Sequence, residues 1–76
     1  MKALVEYIAQ QLVLDPSSVV VTERSSRGTV FVRLRVPKEE LGRVIGREGR
    51  LASAMRTLLR VAGARVRRRV VLDITD

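Results

Sequence analysis

The chain contains no cysteine and no histidine. Without cysteine there is no disulfide, no thiolate metal site and no sulfur nucleophile. Without histidine the usual general base and the commonest metal ligand are missing. A Ser-His-Asp triad and a His-ligated zinc hydrolase site are therefore excluded, and no other cluster of catalytic residue types replaces them. We expect no enzyme activity, no metal and no cofactor. Aromatic residues are nearly absent as well. Tyr7 and Phe31 are the whole set, so Val, Leu, Ile and Ala must fill the core. No apolar run approaches the ~20 residues of a membrane span. Behind Lys2 the apolar stretch is interrupted by Glu6, Gln10 and Gln11, unlike a secretory signal. These absences lead us to expect a soluble, cytoplasmic protein with no membrane contact and no small-molecule substrate.

What is present suits one small domain over residues 1–76. Such a domain has much surface for its volume and needs almost all its apolar residues in one core. At 46% hydrophobic residues it has enough of them. The net charge is +7 and unevenly placed. Residues 1–41 hold six basic against five acidic side chains, whereas residues 42–76 hold nine arginines against three acids. A basic half of this kind points to a polyanionic partner.

Leu4, Val5, Ile8 and Leu12 fall at helical spacing, which predicts a helix over 2–13. Pro16 ends it, with Asp15 and Ser17 supplying turn chemistry. Val19, Val20 and Val21 predict a strand over 18–24, and residues 25–28 a turn. Residues 29–36 alternate strictly: Val30, Val32, Leu34 and Val36 against Phe31, Arg33 and Arg35. That period predicts a strand with one apolar face, hairpin-paired to the first, with Arg33 and Arg35 away from the helices. Pro37 opens a short helix over 38–45, with Glu39 and Glu40 near the positive end of its dipole. Leu51, Ala52, Met55, Leu58, Leu59 and Ala62 predict a second helix over 49–62 buried along that stripe, with Gly63 as its stop. Val70, Leu72 and Ile74 predict a last strand over 66–74. The order α-β-β-α-α-β implies an α+β fold, a three-stranded sheet covered on one face by three helices. The two-helix crossover permits parallel pairing of the last two strands.

The stretch that carries chemistry is Leu41-Gly42-Arg43-Val44-Ile45-Gly46-Arg47-Glu48-Gly49-Arg50-Leu51. Two glycines three residues apart stand between two amphipathic helices. Lacking side chains, they let a phosphate backbone approach closely. The helix that follows presents free N–H groups favourable to an anion, and Arg43, Arg47 and Arg50 surround the loop. A Walker A loop is excluded, since no GK[ST] occurs. A dinucleotide loop would need a strand before it, where this chain has a helix.

Ile45-Gly46-Arg47-Glu48-Gly49-Arg50 resembles the I-G-x-x-G loop of KH domains, which clamps about four nucleotides of single-stranded nucleic acid. The element order matches the type II KH arrangement. Across the whole chain the sequence is similar to the small bacterial KH proteins of the KhpA family. The Leu41–Gly46 run, the Ala54-Met55-Arg56-Thr57-Leu58-Leu59 helix and the Val70-Val71-Leu72-Asp73-Ile74 ending carry that similarity. The resemblance implies an RNA-binding chaperone that self-associates or pairs with a larger KH-containing protein. It further implies an apolar base platform beside the loop, at Ile45, Ala52 and Ala54.

On this reading Arg47 holds phosphate, Arg43 and Arg50 assist, and Arg56 with Arg60 extends the basic surface. Glu48 repels phosphate and is read as structural, an acid in the first helical turn. Of Arg65, Arg67, Arg68 and Arg69, strand alternation should turn about half towards RNA. The missing aromatics argue against an RRM, which stacks bases on sheet aromatics. The residue types suit RNA or single-stranded DNA equally.

Overall fold

In the computed structural model, which describes residues 1–76, helix α1 (Lys2–Leu12) precedes the hairpin strands β1 (Val20–Ser26) and β2 (Thr29–Arg35). Helices α2 (Leu41–Ile45) and α3 (Arg50–Arg65) then lead to strand β3 (Arg69–Thr75). The sheet order is β1-β2-β3, antiparallel then parallel, with Val21 opposite Leu34 and Val32 opposite Leu72. The expected α+β architecture is the one observed.

The core lies between the sheet and the helices. Val30, Val32 and Leu34 of β2, the only strand with a neighbour on each side, are all buried, as are Val21 and Leu72 on its neighbours. From the helices come Val5 and Ala9, Val44, and Ala52, Met55 and Leu59. The opposite face of the sheet carries no helix and presents Phe31, Arg33 and Arg35.

Several boundaries differ from expectation, each for a local reason. Pro16–Ser18 form a single 3-10 turn, held by Ser17 N–H donating to Asp15 Oδ1 at 3.1 Å, so β1 starts at Val20 instead of residue 18. The hairpin turn is Arg27-Gly28 alone, because Ser25 and Ser26 pair with Val30 and Thr29. Both turn residues have positive φ (49° and 81°), as a two-residue type I′ connection requires. The segment before α2 begins as a 3-10 turn over Lys38–Glu40.

Helix α3 corrects the sequence reading twice. Its buried residues are Ala52, Met55, Leu59 and Gly63, whereas Leu51 and Leu58 are 38% and 50% exposed. The wide apolar stripe is thus two stripes, one in the core and one outside. Gly63 does not stop the helix. It is buried within it, and a Cβ there would lie 2.5 Å from the Arg68 carbonyl and 2.7 Å from Val70 Cγ2. The stop is four residues later, where Arg67 takes a left-handed conformation (φ 56°). Arg68 N–H donates to Gly63 O at 2.8 Å and Arg67 N–H to Ala64 O at 3.2 Å, the paired bonds of a Schellman cap. The expected alternation of Arg65–Arg69 therefore fails, since only Arg69 lies in the strand.

Candidate nucleic-acid interface

Residues 46–49 join α2 to α3 with an unusual backbone. Gly46 has φ 78° and ψ 172°, a region open almost only to glycine. Its place is fixed by packing as well, because a Cβ would sit 2.7 Å from Leu51 Cγ and 2.9 Å from Leu51 Cβ. Gly49 also has positive φ (75°), yet a Cβ on it would meet nothing within 4 Å. Between them Glu48 is left-handed (φ 56°, ψ 26°), which costs a side-chain-bearing residue about 1 kcal/mol or more. Glu48 is thus not in the first turn of α3, contrary to its expected role. It pairs instead with Arg50, at 3.6 Å across an exposed surface, and such a pair contributes little. The N-cap residue of α3 is Gly49, so no side chain caps that end of the helix.

The arginines around the loop differ in their engagements. Arg47 is exposed and makes no ion pair or side-chain hydrogen bond. Arg43 pairs through Nε with Glu40 Oε1 at 3.2 Å. Glu40 itself is buried, and its other oxygen accepts the Leu14 and Asp15 N–H groups at 2.9 and 3.2 Å. That carboxylate ties the start of the α1–β1 connection to the start of α2, so Arg43 is anchored to a structural junction. Sequence gave Glu40 only a dipole role; its partners 25 and 26 residues away left no local signal.

Beyond the loop, Arg56 Nη2 donates to the Leu72 carbonyl at 3.2 Å, bridging α3 to the free edge of β3. Arg56, Arg60 and Arg69 line a depression of about 300 Å³ with Val70, Val71 and Leu72. Helical geometry puts Ala54 on nearly the opposite side of α3 from Arg56. There Ala54 is exposed beside Leu51, Leu58 and Val61, so the structure does not bring it together with the Arg56 cleft. Ile45 lies at the end of α2, directly before the loop, and is 36% exposed. Arg60 and Arg69 join Arg56 in this cleft. Arg60 carries the signal of i,i+4 spacing from Arg56, and Arg69 is the one member of the Arg65–Arg69 run that the strand brings to the cleft.

With that geometry in place, residues 2–74 match the family model for the KH domain of KhpA/KhpB. The chain belongs to this KH-domain family. It is 45% identical over 76 residues to the RNA-binding protein KhpA of Aquifex aeolicus, covering 100% of this chain and 96% of the relative. It is 42% identical over 76 residues to the RNA-binding protein KhpA of Halalkalibacterium halodurans, covering 100% of both. A third, the RNA-binding protein KhpA of Clostridium acetobutylicum, is 40% identical over 97% of this chain and 99% of its own length. No solved structure gives a significant match. No helix of this family member is long and apolar enough to cross a membrane.

Proposed function

We propose that this KH domain, spanning residues 1–76, is a cytoplasmic, non-catalytic RNA-binding module that grips single-stranded RNA at the Gly46–Gly49 loop. The observation that carries the reading is the open space over Gly49 at the uncapped start of α3, beside the unpaired Arg47. A phosphate fits where a side chain is absent and N–H groups converge. Arg50 and, more loosely, the Glu40-tethered Arg43 flank it, with Ile45 at its entry. The chain of the RNA then runs along the Arg56, Arg60 and Arg69 cleft, where Leu72 and Val70 offer an apolar floor for splayed bases. The names of the relatives support RNA over DNA. Few base-reading side chains line this path, so sequence specificity is low, as suits an RNA chaperone.

The test is a fluorescence-anisotropy titration of a single-stranded RNA pool with wild type and the Arg47→Asp, Glu48→Asp double variant. Aspartate tolerates the left-handed position of Glu48, so the variant keeps its fold. Loss of binding is expected. Binding at wild-type strength would move the site off the loop. With about three phosphates neutralised, the log–log salt slope for a single strand is about −2.

A second reading is supported by the outer stripe of α3. Leu51, Ala54, Leu58 and Val61 repeat at intervals of three and four residues and are all exposed. A second KH domain, in a homodimer or in a larger KH-containing partner, would cover them and leave the Arg56 flank free for RNA. Light scattering across a dilution series checks this: a dimer dissociated by Leu58→Asp is expected, and a strict monomer at every concentration refutes self-association.

A further inference from the structure

The helix-free face of the sheet holds a second depression, of about 360 Å³, on the far side of the domain's core from the helices. Register places its side chains in rows across the three strands. Arg24, Phe31 and Val71 form one row, and Thr22, Arg33 and Asp73 the next. The flanking rows add Arg35 and Arg69. Four arginines thus face one aspartate on this surface. Asp73 is already engaged, accepting from Arg33 Nε at 3.0 Å. The central group is Phe31, whose ring lies under the Arg24 guanidinium at 4.7 Å. It is the sole aromatic on the sheet, and it occupies the middle strand with an apolar neighbour, Val71, 38% exposed beside it.

An aromatic ring on a sheet face where arginines outnumber acids is the composition with which proteins hold single strands: bases stack on the ring while cations track the backbone. We infer that this face is a second contact surface for single-stranded nucleic acid. A base stacks against Phe31 in place of the Arg24 guanidinium, which lies only 4.7 Å from the ring centroid and swings aside. Arg35, which otherwise donates through Nε to the Asp76 carbonyl at 3.3 Å, takes a flanking phosphate at one end of the face, while Arg69 at the other end stands on the edge shared with the Arg56 cleft. The free Arg24–Phe31 stack keeps the ring covered until a base enters. Two contact surfaces on opposite sides of one small domain let it hold two segments of a folded strand, or two strands, together. The inference rests on the RNA-binding reading above and extends it to a surface that the loop does not reach.

The experiment is ultraviolet crosslinking of the full chain to a short single-stranded oligouridylate, with crosslinked tryptic peptides identified by mass spectrometry. Wild type, the Arg47→Asp, Glu48→Asp loop variant, Phe31→Leu and Arg24→Glu are compared. Phe31→Leu keeps an apolar strand residue and removes the stacking ring, and Arg24→Glu changes an exposed position, so the sheet survives in both. A crosslink in the peptide Gly28–Arg33 is expected in wild type and in the loop variant. It is lost in Phe31→Leu, and affinity in the loop background falls about fivefold or more in either sheet variant. Crosslinks at this peptide with none at the loop sustain the inference and overturn the loop assignment. Crosslinks confined to the loop and the α3–β3 cleft, with affinity unchanged in both sheet variants, overturn the inference and leave the loop assignment standing. Absence of crosslinks at either surface overturns both. A dimer dissolved by Arg24→Glu, without a Phe31 crosslink, assigns the face to a second copy of the chain and likewise overturns the inference.

Discussion

The Arg27-Gly28 turn and the Gly46–Gly49 loop both rely on residues with positive φ, to opposite ends. The hairpin turn has two such residues, and they reverse the chain with the twist the strands need. The loop has three in four positions, Gly46, Glu48 and Gly49, although two helices can be joined with one. The turn is closed by pairing on both sides, and the Gly28 carbonyl accepts the Arg69 N–H at 3.2 Å. The loop instead ends at a helix without a side-chain cap and leaves Gly49 bare. Backbone strain beyond what chain reversal requires, beside an unpaired Arg47, is what supports the proposal that this loop contacts RNA.

The comparison breaks most visibly at Gly46. Gly46→Ala forces a Cβ into Leu51 and a backbone region hostile to side chains, costing about 3 kcal/mol. In a domain of this size that lowers Tm by roughly 15 °C in a calorimetric melt. Smaller effects separate the two glycines that face open space. Gly28→Ala and Gly49→Ala should each cost about 1 kcal/mol, from positive φ alone. Only Gly49→Ala should weaken RNA binding in an anisotropy titration; equal affinities would place the phosphate elsewhere. The smallest effects come from asparagine, which accepts the left-handed conformation. Arg27→Asn and Glu48→Asn should each raise stability by about 0.5 kcal/mol in urea titrations. Glu48→Asn alone should also tighten RNA binding, about threefold, by removing the carboxylate from the loop.

Much of this fold is legible in the chain because it rests on local periodicity. The alternation of Val30, Val32 and Leu34 shows both the strand and its buried face. The glycine pair between two amphipathic segments marks the loop. What escaped depends on how the elements meet in space and on backbone conformation. Gly63 looks like a helix stop, yet it is there because the Arg68 carbonyl and Val70 press against α3. Leu51 and Leu58 read as core because a stripe of six apolar residues does not reveal which half meets the sheet. Arg43 stands three residues after Glu40, a spacing that pairs the two on a helix; what the chain does not reveal is that Glu40 is buried and tied to Leu14 and Asp15. The backbone of Glu48 is likewise invisible in a residue type that ordinarily favours helices.

The most direct test of the loop assignment is an amide NMR titration of the isotopically labelled chain with a short single-stranded RNA. Binding as described shifts the N–H resonances of residues 46–52 most, with a second group along Val70–Leu72 beside the Arg56 cleft. Saturable binding that leaves residues 46–52 unmoved would contradict the account.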